Sequence, residues 1–357
     1  MNMIVNILLF LFMMSLIIVI HEFGHLIAAK IFGVYCHEFS LGMGPKLFSK
    51  KGKETEYSVR AIPIGGFVAM AGDTDNALET SVDIEVPAER TLTGIKPIKR
   101  IIIMLGGIVM NLLLAEAVIS LLLLGYGKYA MSPEPYIESV VEDYPAAKAG
   151  LRANDLIVGI EYENGSSYAP ASFSELSDFL ATYESGTIVL TIERDKERLD
   201  FEVEPVKNDS GSYVIGITGG SYAIMEVNIL NCWYYGFIYL KEVMKLLITT
   251  VIGLFKGIGL KNLSGPIGIY NATSEAASMG ADIYFNLLAV LSLNIGIMNA
   301  IPLPVLDGGR VVLTLVEMVI GHPISKKVTD AIMTISILLL IMLMVFATGQ
   351  DLWRLFN

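Results

Sequence analysis

Four stretches of the chain are apolar for long enough to cross about 30 Å of hydrocarbon. They cover roughly residues 3–29, 101–124, 283–301 and 331–348. With their flanks they define transmembrane segments 1–33, 98–126, 281–310 and 328–350. The stretches between them follow other patterns. In the connection 34–97, short β-leaning pieces around Phe48 and over Tyr57–Ile64 flank the turn-rich, basic "SKKGKE". That pattern predicts a small sheet or hairpin held at the membrane surface, followed over 73–96 by an acidic linker without periodicity.

Residues 132–207 read as one small α+β domain. A short helix at "AAKAG" leads to a strand over Leu156–Glu161. "SFSELSDFLATY" has apolar residues at helical spacing, and two alternating strands then meet at "RDKE". Over 226–262, Lys241, Glu242, Lys245 and Lys256 interrupt an apolar pattern. A fifth crossing there would leave an odd number of spans, so this segment is expected to be an amphipathic helix lying at the outer interface. "NLSGPIG" is a Gly/Pro-punctuated connector into the third span.

Composition agrees with the pattern. Of 357 residues 54% are hydrophobic and 17% charged, with a mean hydropathy of +0.59, which describes a membrane protein. The first apolar run lacks the basic stretch of a signal peptide and exceeds a typical signal core, so it is expected to remain as a span. Ten Lys and Arg fall within 30–100, and Arg310, Lys326 and Lys327 within the short loop 310–330. The positive-inside bias puts those connections in the cytoplasm and both termini outside. The outer connection 125–235 has eighteen acidic residues against seven basic ones and supplies most of the net charge of −11. No nucleic-acid partner is expected. Cys36 and Cys232 fall on opposite sides of the membrane in this arrangement, which excludes a disulfide between them.

One apolar run carries costly residues. Within "MSLIIVIHEFGHLIAAKIF", His21-Glu22-Phe23-Gly24-His25 is an HExxH motif. Residues four apart share a helix face, so both imidazoles can reach one metal ion while Glu22 stands beside it to deprotonate a bound water. A lone Glu near mid-bilayer costs at least ~2.5 kcal/mol, which a bound cation offsets. Catalytic zinc usually takes three protein ligands. His37 and His322 lie outside the apolar segments, whereas "NAIPLPVLDGG" places Asp307 after a helix broken by Pro302 and Pro304. Both motifs lie near the cytoplasmic ends of their spans and can meet.

"HEFGH" in the first span, "NAIPLPVLDGG" in a late one, the "LSGPIG" connector and the intervening segment around "YPAAKAGLRANDLIVGIE" together resemble the site-2 protease family of intramembrane zinc metalloproteases. Within it the chain resembles the bacterial RseP-type group with a single PDZ-like domain. The resemblance implies a polytopic α-helical membrane protein of about four transmembrane helices, with a cytoplasmic membrane-associated β-element and one external PDZ-like α+β domain, in the bacterial plasma membrane. It implies Zn2+ held by His21, His25 and Asp307, Glu22 as general base, and Asn299 and Asn294 in contact with substrate. The substrates would be single-span membrane proteins such as anti-sigma factors, or remnant signal peptides, cut in regulated intramembrane proteolysis. Tyr57–Met70 is the expected edge onto which an unwound substrate adds as a strand. Asn154 departs from the PDZ pattern, where Gly commonly precedes the Asp.

Three other readings compete. A non-hydrolytic metal transporter would need further intramembrane ionisable groups, for which Glu116 is the main candidate. A PDZ scaffold with structural zinc would have no use for Glu22. A third, a protease taking its last metal ligand from a glutamate between Glu38 and Glu89, differs in where that ligand stands.

Overall fold

The computed structural model describes all residues except 1–2, 74–85, 132, 163–166, 171, 182, 184–185, 209–210, 220–222, 256–262 and 357. The chain forms two compact units, one of residues 1–125 and 230–357 and the other of 126–229.

Among the described residues, the first unit holds four helices long and apolar enough to cross a membrane: α1 (Met3–Ile31), α2 (Pro97–Tyr126), α7 (Ala281–Asn299) and α9 (Lys326–Phe356). Small residues allow α1 and α2 to touch backbone to backbone. A Cβ on Gly24 would stand 2.2 Å from Gly106 O. Met13 and Ile17 of α1 pack with Tyr284 and Leu288 of α7, all buried.

Two long strands, β1 (Cys36–Lys51) and β2 (Glu56–Met70), follow α1. Each bends, so the pair makes four passes. Residues 36–41 pair with 66–70 with numbers running oppositely; on their other side Glu38 faces Glu56 and Leu41 faces Val59, numbers rising together; and 48–51 pair in turn with 56–59. The order across the sheet is therefore 62–70, 36–43, 56–60, 46–51. This corrects the expected edge at Tyr57–Met70: residues 56–60 lie inside the sheet, and among the described strands only the 62–70 half lies at its margin. The bend buries Glu38, which meets Arg60 Nη2 at 3.0 Å and Lys46 Nζ at 3.0 Å. Burial alone would raise the Glu38 pKa, but hydrogen bonds from Ser58, Lys46 and Arg60 hold it below the ordinary value.

Three further corrections concern this unit. The acidic linker 73–96 lies partly outside the described residues, but its second half is packed rather than loose. Leu92 and Ile95 are buried in the cluster that joins α1, the sheet and α2, and Leu92 N–H donates to Ala71 O. The loop 310–330 is mostly a helix, α8 (Asp307–Ile320), because "RVVLTLVEMV" puts its apolar residues on one face. The connector after "NLSGP" contains α6 (Pro266–Met279), which packs on α1 through Phe10 and Tyr270. α5 (Cys232–Phe255) is a single helix within the expected 226–262; Lys256 lies outside the described residues.

The second unit has its own core of Ile137, Ile157, Leu176, Ile188, Leu190 and Ile192 with their neighbours. β3 (Lys128–Met131), β4 (Ile137–Val140), α3 (Pro145–Ala149), β5 (Leu156–Tyr162), β6 (Ser167–Tyr168), α4 (Phe173–Ala181), β7 (Ile188–Arg194) and β8 (Glu197–Val203) follow in order, and β6-β5-β7-β8 form a four-stranded antiparallel sheet. The unit runs past the expected end at 207. After β9 (Val206–Lys207) and β10 (Tyr213–Val214), β11 (Ile217–Gly219) returns to β4 and β12 (Ala223–Glu226) to β3. Strands of two to four residues carry too little alternation to be read in a sequence. Asn154 stands at φ 71°, the left-handed conformation that glycine takes most easily. That accounts for its place before Asp155.

Candidate metal centre

α1 presents His21 and His25 on one face, both buried. The third group arrives through a broken helix. α7 ends at Asn299; Pro302 and Pro304 cannot donate backbone hydrogen bonds, and the chain restarts as α8 with Asp307 in its first turn. A carboxylate is favoured at a helix N-terminus. Gly308 and Gly309 let that turn press on the break: a Cβ at either would lie about 2 Å from the backbone of residues 300–304.

His21 Nε2 lies 3.0 Å and His25 Nε2 3.3 Å from Asp307 Oδ2, and the two ring nitrogens lie 3.3 Å apart. Ligands of a tetrahedral ion with bonds of about 2.1 Å stand about 3.4 Å apart. The triangle thus has the size of one face of such a site. Asp307 Oδ2 is buried without a hydrogen-bond donor, as a metal-facing oxygen would be. The space beside the triangle is kept by Gly107 of α2, where a Cβ would fall 2.6 Å from His25 Nε2 and 2.7 Å from His21 Nε2.

The far sides of both rings are held. His25 Nδ1 lies 2.8 Å from Ile103 O; a carbonyl only accepts, so Nδ1 carries the proton and Nε2 offers its lone pair to the centre. Asn111 of α2, fully buried, brings its amide within 3.3 Å of His21 Nδ1. The two ends of an amide are interchangeable in shape, and with Oδ1 toward the ring it accepts Nδ1–H and frees His21 Nε2 in the same way.

A cavity of about 500 Å³ opens beside the triangle, lined by Glu22 and by Gly66, Phe67 and Val68 of β2. A Cβ on Gly66 would lie 3.7 Å from Glu22 Cγ. Ser15 Oγ of α1 donates to Pro63 O, holding β2 alongside α1. Asn299 also lines the cavity, its Nδ2 3.5 Å from His21 Nε2. Asn294 does not line it. Five residues earlier on α7, it stands about 140° around the helix from Asn299. Sequence reading missed Gly107 and Asn111; the signal was "GGIVMN", a glycine pair and an amide inside an apolar span.

Three of the other candidate ligands are engaged elsewhere, and Glu79 and Glu85 lie outside the described residues. Glu38 meets Arg60 and Lys46, Glu54 meets Lys30 at 3.2 Å and Arg90 at 2.9 Å, and Glu56 meets Lys46 at 2.8 Å. Cys36 and Cys232 are buried and form no disulfide, and burial pushes Cys36 up to about 11, which leaves it unreactive.

A buried His-His-carboxylate face with a glutamate beside it, inside a bundle of apolar helices, is the architecture of a membrane metallopeptidase. The chain belongs to peptidase family M50, whose model matches residues 9–343. It is 33% identical over 95% of its length to a Clostridium perfringens protein named as a zinc metalloprotease, covering 96% of that protein. To the regulator of sigma-W protease RasP of Bacillus subtilis it is 29% identical, over 97% of this chain and 98% of the relative. The zinc metalloprotease RasP of Bacillus licheniformis is 28% identical over the same shares. A crystal structure of the PDZ domain of an SdrC-like protein from Listeria monocytogenes aligns at 26% identity with 25% of this chain and 87% of its own; at a TM-score of 0.21 nothing about fold follows from it. The chain is therefore a zinc metalloendopeptidase of the membrane, acting on membrane proteins in a lipid environment. The transporter and scaffold readings fall with the family.

Proposed function

We propose that His21, His25 and Asp307 hold the zinc and that Glu22 is the general base for hydrolysis of a peptide bond within the membrane. The observation that carries this is the 3.0–3.3 Å triangle of Nε2, Nε2 and Oδ2, with Glu22 lining the cavity beside it. Zinc held there would supply Lewis acidity for hydrolysis near neutral pH. The Glu22 carboxylate would accept a proton from the attacking water and return it to the leaving amine. Asn299 faces the same space and is placed to donate an amide hydrogen to the substrate carbonyl.

A transmembrane helix protects its own amides, so cleavage requires an unwound segment held extended. The edge at Ile62–Met70 can hold it by strand addition, which brings a substrate carbonyl past Glu22. The substrates are single-span membrane proteins, anti-sigma factors among them, or remnant signal peptides, and the setting is regulated intramembrane proteolysis in a bacterial cell membrane. Both termini and the second unit lie outside and the site near the cytoplasmic face. The second unit, PDZ-like in pattern, is a folded obstacle that excludes substrates with bulky outer domains.

Glu22→Gln tests the base: zinc content should stay at one per chain while cleavage of a model transmembrane substrate is lost. Asp307→Ala should instead lose zinc. Full cleavage by the first variant, or full zinc in the second, would contradict the assignment.

A further inference from the structure

α8 has the reverse of the pattern expected of a helix packed on a protein in water. Its polar side chains face inward. Arg310 Nη1 lies 3.5 Å from Asp73 Oδ2. Thr314, 3% exposed, donates to Arg310 O at 2.9 Å. Glu317 accepts from Arg100 Nη1 of α2 at 2.8 Å and from Ile324 N–H at 3.1 Å. At about 100° per residue these three positions fall within about 60° of one another. Val312, Leu315, Val316 and Val319 occupy about 100° on the opposite side, and they are 38–88% exposed.

We propose that this outward face is a membrane anchor, seated in the acyl-chain margin of the leaflet at the Arg100 end of α2, with Lys326 and Lys327 among anionic headgroups. The anchor is independent of which residues hold the zinc. Contiguous exposed apolar side chains mark a surface that binds protein or membrane, and two observations favour the membrane. First, the Arg100–Glu317 pair sets α8 beside the first turns of α2, a helix apolar enough to cross a bilayer, and those turns expose Ile98, Ile102 and Leu105. The apolar face of α8 thus lies where a neighbouring span also presents apolar side chains outward. Second, the exposed charge beside it has one sign. From Val311 to Thr329 the charged residues are Glu317, turned inward, and Lys326 and Lys327, both exposed. The 14 residues of α8 cover about 21 Å, too short to cross about 30 Å of hydrocarbon. Such a helix adds lipid contact without spanning, and lysines next to it are drawn to anionic headgroups. Because α8 starts at Asp307, the anchor also ties the depth of that residue to the headgroup plane.

The test places the zinc-loaded full-length enzyme in nanodiscs of phosphatidylcholine and phosphatidylglycerol, with a bimane label at Val312→Cys or at Val319→Cys in a background without Cys36 and Cys232. Cleavage of a model transmembrane substrate shows that each labelled enzyme is folded, and the two sites are labelled separately so that failure of one leaves the other. Lipids brominated on their acyl chains should quench both labels, and iodide in the water should quench them only weakly. At equal mole fractions, quenching at Val319→Cys should report phosphatidylglycerol enriched over phosphatidylcholine by about fivefold for each lysine. The double variant Lys326→Gln, Lys327→Gln should lose that preference while the label stays in lipid. Quenching by iodide and not by lipid would put the face in water. Quenching by neither would put it against protein, a second copy of the chain included. Equal quenching by the two lipids with both lysines present would remove the anionic partner. Each of these three results overturns the proposal.

Discussion

At the residue scale, the centre depends as much on groups behind the ligands as on the ligands. Asn111 and Ile103 O each take one side of an imidazole, so that both Nε2 lone pairs point at the same place. Only the second of these is backbone. Asn111→Ala should weaken zinc affinity about 10–100-fold, as removal of such partners typically does, with the fold intact. Competition with a metal indicator on the detergent-solubilised protein measures it, and unchanged affinity would mean that the His21 ring is oriented by packing alone.

At the scale of elements, two buried carboxylates do structural work away from the site. Asp351 of α9, 3% exposed, accepts Gly268 N–H at 2.8 Å in the first turn of α6. It fills the place of an N-cap side chain, which Gly265 cannot supply. "SGPIG" is thus the start of a helix capped from elsewhere in the chain. Asp351→Ala should cost about 1 kcal/mol and speed hydrogen exchange at Gly268 and its neighbours.

In the second unit Asp155, 1% exposed, receives two hydrogen bonds from Arg194 at 2.6 and 2.7 Å and one from Arg152 N–H at 2.8 Å, linking the start of β5 to the end of β7. Burial alone would raise the Asp155 pKa, but the Arg194 guanidinium and the Arg152 amide outweigh it and hold the carboxyl below its ordinary value. A pKa lowered on folding contributes stability that is present in full above the unfolded value of about 3.9 and is lost as pH falls through the folded value. Exchange protection of β7 amides in the full chain should therefore be flat from neutral pH to about pH 5 as far as this group is concerned and fall below that. Asp155→Asn should lose the acid dependence together with about 2–3 kcal/mol.

At the scale of the whole molecule, orientation is the property that gives the site its task. On the proposed reading, the basic residues of 30–100 and the acidic excess of 125–235 leave the β-element inside and the second unit outside. Single cysteines in a background without Cys36 and Cys232 test this. Asp143→Cys should react with an impermeant maleimide added to intact cells, and Lys53→Cys should react only after permeabilisation. The reverse pattern would place the site at the opposite face of the membrane.

Much of this protein can be read from one sequence because membranes impose severe local rules. A run of twenty apolar residues has few fates in lipid, and HExxH within one is costly enough to demand a cation. That His21, His25 and Asp307 would come together beside Glu22 was therefore legible, as were the apolar helices and the turn at Asp195–Lys196, where both residues take positive φ. Contacts between distant segments were not. That β2 folds back to leave 62–70 at the edge of the described strands, that Gly107 holds open the space beside the triangle, that Asn111 reaches an imidazole while Asn294 does not line the cavity, and that Asp73 meets Arg310 all depend on how bent strands and crossing helices pack. Local pattern records which side chains need a partner; only tertiary packing, by bringing residues hundreds of positions apart within 3 Å, decides which partner each one finds.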